Sequence, residues 1–550
     1  MRKHIQNLVE KAIKKYEETE NISTDGIEII IEVPKQKEYG DYATAVALQI
    51  AQKNKKPPRL IAEKLVTFLD GSPFIEKVEV AGPGFINFFL NEKALWETIK
   101  DIRKNIDKLV KIPPKKKKIQ LEFGSINPTG PMHIAHARGV TIGDSLANLF
   151  RRIGWNIEKE FYINDAGTQI DLLGESLYAR YMQLQGKDYE LPEEGYHGIY
   201  LIDLAKELLN KKEEIEKLSV NEKKEFFKNY ALKRMLENIK NTLLNFGVEY
   251  DVWFSEKTLH ENGKIKEILD ILEKRGFSYY KDGAIWFAST KFGDEKDRVL
   301  VKSDGKPTYF LADIAYHLNK IERGFDWIID VWGADHHGHV TRLKGAIQAL
   351  GYSKDILEII LVQVVKLMKG NEEIKMSKRT GDFITLDEVQ EEVGRDPIRF
   401  FFLLRSPESQ LDFDLELAKK QSLENPVYYV QYAHARCCSI LKNAESQGHN
   451  LSDLDNADLS LLKEEKEKEL ILTLLRYPEK LEDITRTLEI HQLPFYLLNL
   501  SSLFHGYYDS YKVLVEDKDL ALARLALIDC IRIIIKDALN ILGVSAPEKM

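Results

Sequence analysis

Apolar residues recur at helical spacing at the start of the chain, where Ile5, Leu8, Val9, Ala12, Ile13 and Tyr16 fall on one face. A β-like run then extends from Ile27 to Val33, and a helical stretch follows Asp41. The segment IEKVEVAGPGFINFFL reads as two strands, with Gly82-Pro83-Gly84 punctuating them as a hairpin would. Residues 1–110 therefore read as a small α/β domain. The segment IPPKKKKIQ, with Pro113, Pro114 and Lys115 to Lys118, reads as a linker. From Ile119 the pattern becomes strand, glycine-proline loop and long helix, the opening of a parallel α/β unit. That region, 111–425, is interrupted at about 170–290 by a Lys- and Glu-rich stretch expected to be a mostly helical insertion, and closes with 366–425. Pro426 suits the first turn of a helix, and amphipathic helices fill 426–550.

Composition narrows the class. The 550 residues are 44% hydrophobic and 30% charged, as suits a globular enzyme, and the net charge is −8 with a pI near 6.0. A nucleic-acid surface on such a body must be a local basic patch. The cysteines, Cys437, Cys438 and Cys530, have neither zinc-ligand nor disulfide-framework spacing, which fits a reducing compartment. No segment reads as a signal peptide or membrane span, so a cytoplasmic protein is expected.

Candidate chemistry concentrates in IQLEFGSINPTGPMHIAHARG. Ile119, Leu121 and Phe123 alternate as a strand does, Gly124, Pro128, Gly130 and Pro131 make a tight loop, and a helix follows. A helix opening directly after a strand offers free N–H groups and a positive dipole end, a natural phosphate site. His133 and His136, three apart on its first turn, can donate hydrogen bonds to a triphosphate as charge moves to the leaving pyrophosphate. Farther on, Lys375, Met376, Ser377, Lys378 and Arg379 precede Gly381, and a loop with three cations can close on the same triphosphate. In KPTYFLADIAYH, Tyr309 and Asp313 are four apart and share a helix face. A carboxylate beside a phenol suits a guanidinium, whose planar fork distinguishes it from an ammonium; Glu122 can supply a second anion. The string WGADHHGH (Asp335, His336, His337, His339) invites a metal reading, but consecutive histidines at a strand end point to opposite sides. Toward the C-terminus, Tyr428, Tyr429, Tyr432, Tyr507, Tyr508 and Tyr511 lie among Arg436, Lys442, Lys512 and Arg532, and any that are exposed can stack splayed bases.

NPTGPMHIAHARG resembles the His-x-Gly-His signature of class I aminoacyl-tRNA synthetases, in its arginyl form, and KMSKR is similar to the family's Lys-Met-Ser-Lys-Ser loop with Arg379 in the last place. YGDYATAVALQIAQ and AGPGFINFFL resemble the additional N-terminal domain of arginyl synthetases, YHGIYLIDLAKEL has a family look, and GVSAPEKM is similar to their C-terminal ending. The resemblance implies an α/β fold: a Rossmann-like parallel-sheet catalytic core, a small N-terminal α/β domain and an all-α helical anticodon-binding domain. It implies condensation of L-arginine with ATP to an adenylate and pyrophosphate, then transfer to tRNA(Arg) with release of AMP. ATP arrives with Mg2+, no tightly bound metal is expected, and activation waits for bound tRNA. By the same resemblance His133, His136, Lys375 and Lys378 are catalytic. Asn127, Pro128, Thr129, Gly130, Ala135, Met376 and Ser377 join His133, His136 and Lys378 around ATP. Glu122, Asn127, Tyr309, Asp313 and His337 surround arginine, and Tyr39, Tyr428, Tyr432, Tyr508 and Met550 meet tRNA. A monomer with no membrane partner is expected. Ala135 stands where the signature has glycine, one methyl closer to the adenine, for which a small shift with retained activity is expected. A cysteinyl-type enzyme would need a zinc-binding cysteine in the pocket, and all three cysteines lie beyond the catalytic region. A non-catalytic tRNA-binding relative predicts eroded motifs, and both motifs are intact.

Overall fold

The computed structural model describes residues 1–20, 22–370, 372–374 and 384–550. The first helix, Arg2–Glu20, buries the six residues its period marks. The run Ile27–Val33 forms no strand and makes one isolated bridge, Glu32 to Ala43. Tyr42–Thr44 takes the sheet position instead, beside the hairpin of Ile75–Ala81 and Phe85–Leu90, and a helix, Val46–Asn54, follows. Apolar β-formers alone do not make a strand; a paired edge does. This N-terminal unit leans on the C-terminal helices through Glu479, which accepts from the Arg2 backbone N–H at 2.6 Å and from the Tyr42 hydroxyl at 3.0 Å.

The core is a five-stranded, wholly parallel sheet. Its strands are β1 (Ile119–Phe123), β2 (Ile157–Ile163), β3 (Val252–Ser255), β4 (Trp327–Gly333) and β5 (Leu357–Val362), in the order β5-β4-β1-β2-β3. Edge strand β3 lies inside the stretch read as an insertion, which is otherwise mostly helical. Winding reverses between β1 and β4, and such a crevice at the carboxyl ends of the strands is where open α/β sheets bind ligands. Three helices frame it: α1 (Ile134–Arg152), α2 (Tyr309–Glu322) and α3 (His337–Ala349).

All five residues of β1 are buried. Its odd positions, Ile119, Leu121 and Phe123, pack with α1 residues such as Val140 and Leu146. Gly143 of α1 permits this approach, since a Cβ there would lie 2.2 Å from the Phe123 ring. The even positions, Gln120 and Glu122, are polar and meet groups carried by β2 and α2. The C-terminal body is helical (Pro426–Ser446, Glu465–Leu475, Tyr477–Thr487, Gln492–Ser510, Lys518–Leu542). Among the described residues no helix is long and apolar enough to cross a membrane.

Candidate active site

After β1 the chain turns at Gly124, whose φ of +66° and lack of a side chain are both required: a Cβ would meet Val140 Cγ2 at 2.5 Å. Pro128 is buried and Thr129 and Gly130 are half-buried. The Tyr200 hydroxyl, from the helical stretch, donates to the Thr129 carbonyl at 2.5 Å and pins this loop. His133 is not inside α1 but caps it, its Nδ1 accepting from the Ala135 N–H at 3.0 Å. The cap fixes the tautomer, with the ring proton on Nε2. His136 stands one turn on, with ring centroids 5.8 Å apart. Ala135 is half-exposed between them.

Lys375, Met376, Ser377, Lys378 and Arg379 lie outside the described residues. The backbone that follows them is bound to the histidine segment. Ile134 N–H donates to the Ile384 carbonyl at 3.2 Å, Leu386 N–H donates to the Met132 carbonyl at 2.8 Å, and Thr385 bridges to His133. Residues 384–386, which follow the lysine motif in sequence, thus share a backbone ladder with the histidine segment.

Across the crevice, α2 opens with Tyr309, 61% exposed and capped by Thr308. Asp313 lies one turn deeper, with His339 Nε2 2.8 Å from its carboxylate, close enough for an ion pair but not aligned as a hydrogen bond. His337 is exposed at the start of α3. WGADHHGH is therefore strand, 3-10 turn and helix rather than a strand end, and the helix turn brings His339, not His337, onto Asp313. Asn127 is exposed and donates to Gln169 Oε1 at 2.8 Å. Glu122 is nearly buried, accepting from Lys320 at 2.7 Å and from the Ser125 hydroxyl at 3.0 Å. Burial pushes its carboxyl up, Lys320 pulls it back and Asp330 pushes it up again. Glu256 is another buried carboxylate here; burial raises it too, with Tyr162 and His260 opposing. Sequence reading missed Tyr200, Gln169, Glu256 and the Lys320 cluster, and within WGADHHGH it singled out His337 where His339 is the one that meets Asp313. One signal was available: Tyr309, Asp313, Tyr316, His317 and Lys320 fall at helical spacing as a polar stripe along a helix that is otherwise apolar but for Asn319 and Glu322.

In the C-terminal body Tyr428 and Tyr432 stack, with planes 10° apart, and the Arg436 guanidinium lies 4.7 Å from the rings of both Tyr432 and Tyr508. Tyr507, by contrast, is core, donating to Glu467. Met550 is 46% exposed and, with Tyr428, Arg395, Lys419 and Lys420, lines a cleft of about 660 Å³. Tyr39 is exposed on the N-terminal unit.

Three family models match along the chain: the arginyl tRNA synthetase N terminal domain at 3–90, the tRNA synthetases class I (R) catalytic domain at 98–399, and the DALR anticodon binding domain at 430–550. The arginine--tRNA ligase of Caldanaerobacter subterraneus subsp. tengcongensis is 48% identical over 554 residues, covering 100% of this chain and 99% of that protein. The arginine--tRNA ligase of Desulforamulus reducens is 48% identical over 526 residues, 95% of this chain and 94% of that one. The solved arginyl-tRNA synthetase of Thermus thermophilus has the same fold, with a TM-score of 0.80 at 22% identity over 100% of both chains.

Proposed function

The chain belongs to the arginyl-tRNA synthetase family and attaches arginine to tRNA for protein synthesis, using ATP, and from that premise we propose how its residues divide the work. The substrate carboxylate is already a nucleophile, so the site's task is positioning and charge stabilisation. ATP enters as its Mg2+ complex, over Asn127, Pro128, Thr129, Gly130 and Ala135. His133 and His136 donate to the triphosphate as pyrophosphate leaves, and Lys375 and Lys378 close over it with Met376 and Ser377. The arginine guanidinium lies against Tyr309, Asp313 and Glu122, with Asn127 at its backbone end and His337 nearby. Residues 1–110 and 426–550 hold the tRNA, through Tyr39 on one side and Tyr428, Tyr432, Tyr508 and Met550 on the other. The enzyme works as a cytoplasmic monomer.

The observation that carries this division is the ladder joining Ile384 and Leu386 to Ile134 and Met132. It holds residues 384–386, which follow the lysines in sequence, against the histidine segment, which supports both motifs acting on one triphosphate. The test is amino-acid-dependent ATP–pyrophosphate exchange with and without tRNA, with lysine and cysteine as controls. Arginine alone, and only with tRNA present, should support exchange. Asp313→Asn should raise the arginine KM about 10- to 100-fold, the loss of a charged hydrogen bond, and leave the ATP KM nearly unchanged. An unchanged arginine KM would place the guanidinium elsewhere.

A further inference from the structure

The polar stripe on α2 runs from the mouth of the crevice to its floor. Tyr309 is exposed, the Asp313 side chain is 33% exposed, and Lys320 is wholly buried. The Lys320 ammonium donates to Glu122 Oε2 on β1 at 2.7 Å and to Asp330 Oδ1 on β4 at 2.8 Å, and lies 4.3 Å from the Tyr316 ring centroid. His317 completes the cluster, with Nδ1 2.7 Å from the Asp313 carbonyl and Nε2 2.7 Å from Asp330 Oδ2. Both of its partners, a carbonyl and a carboxylate, are acceptors, and between the two carboxylates lies the Lys320 ammonium. A buried pair adds little stability over an apolar replacement, but loss of one member leaves its partner stranded. Stability alone therefore does not account for a buried lysine between two buried carboxylates here, directly beneath Asp313.

We propose that Lys320 is a positioning residue for arginine recognition: it holds the Glu122 carboxylate ionised and in one orientation at the floor of the pocket, so that Glu122 and Asp313 together meet the guanidinium. This rests on the arginine pocket proposed above and adds the device that keeps one of its anions charged. The groups that face Glu122 are Tyr316, His317 and Lys320 on α2, Asp330 on β4, Ser125 after β1, and the Tyr162 and Tyr250 phenols. Of these, Lys320 is the one cation bonded to it. With a neutral side chain at 320, a carboxyl already raised by burial rises further, which favours its protonated form. Raising the pH then restores the anion.

The experiment is steady-state tRNA charging between about pH 6.5 and 8.5 with Lys320→Gln, Lys320→Arg and Glu122→Gln, measuring arginine and ATP KM separately. Lys320→Gln should raise the arginine KM about 10- to 100-fold at low pH, shrinking as pH rises, with the ATP KM moving less than about twofold. Lys320→Arg, permanently charged, should keep the wild-type pH profile. Glu122→Gln should raise the arginine KM equally at every pH. If Glu122→Gln leaves the arginine KM unchanged while Asp313→Asn raises it, the place given to Glu122 in the pocket is wrong. If Glu122→Gln raises it but Lys320→Gln gives no pH-dependent defect, the pocket stands and the role of Lys320 is overturned. Should Lys320→Gln not fold, Lys320→Met is the substitute. Failure of both to fold makes Lys320 a folding residue and overturns the proposal as well.

Discussion

On one face of the central sheet, Asp144 of α1 sits between Lys159 of β2 and Arg399, at 3.1 and 2.5 Å, and all three are buried. On the other face, Glu122 and Asp330 hold Lys320, and that cluster connects through His317 and Asp313 to the open crevice. The first cluster is sealed. Its surplus cation is met by the end of the helix Lys518–Leu542, whose Leu542 carbonyl accepts from Arg399 Nε at 2.8 Å, where the helix dipole is negative. Gly543 follows there because a Cβ would lie 2.3 Å from the Arg399 guanidinium. The same kind of chemistry thus serves two ends. Where every partner is internal, buried charge joins the catalytic core to the C-terminal body. Where the chain of partners ends at a cavity, it prepares that cavity for a charged substrate.

The strongest way to break the comparison is at the sealed joint. Arg399→Met leaves Asp144 with one cation and the Leu542 carbonyl with the longer bond from the Ser145 hydroxyl, 3.4 Å, in place of its 2.8 Å guanidinium donor. It should cost about 3–5 kcal/mol in the unfolding of the core, read from thermal or urea denaturation. Arginine and ATP KM in the protein that remains folded should not move. A shifted arginine KM at unchanged stability would mean that the sealed face also communicates with the pocket.

How much of this was legible in the sequence follows the same division. The period of Ile5 to Tyr16 marks a buried helical face whatever it packs on, and the fold has it. Strand, loop and helix at Ile119–Arg152 were legible because glycine and proline punctuate them. The alternation of Ile119, Leu121 and Phe123 misleads about the residues between them. It suggests one wet face, yet Gln120 and Glu122 are buried too, each bonded to a group far along the chain, 40 and 198 residues away. Ile27–Val33 has strand composition without a strand, since pairing is a tertiary event. Tyr309 and Asp313 were legible as a helical pair, whereas His339 reached Asp313 only because the chain turns into α3 after β4.

The histidines sharpen the comparison, because α1 carries Asp144 on its sealed side and the signature at its open end. His133→Ala and His136→Ala should each lower kcat about 100- to 1000-fold, the usual loss on removing one donor to a developing charge. Only His133→Ala should also destabilise the core, by about 0.5–2 kcal/mol, because only His133 caps the helix. His133→Asn keeps a capping side chain and should recover stability without recovering rate. Equal stability of the two alanine variants would mean that the cap contributes nothing, and that His133 is held by the Thr385 bridge instead.

The smallest effect is expected at Tyr200, which tests whether the open end is held from outside the sheet. Its hydroxyl donates to the Thr129 carbonyl, and its ring would lie 3.5–3.6 Å from a Cβ at Gly130, so the loop that would carry ATP rests on it. Tyr200→Phe keeps the ring and removes one hydrogen bond, about 0.5–1.5 kcal/mol. If that energy only stabilises the fold, it appears in denaturation and kcat is unchanged. If it orders the loop for ATP, it appears as a roughly 2- to 10-fold fall in kcat/KM for ATP, and Tm shifts by less than about 2 °C. The second outcome is expected, because the hydroxyl's partner is a backbone carbonyl beside the histidines rather than a group in a packed core. It would place Tyr200 with the crevice rather than with the sealed joint, although it belongs to neither face of the sheet.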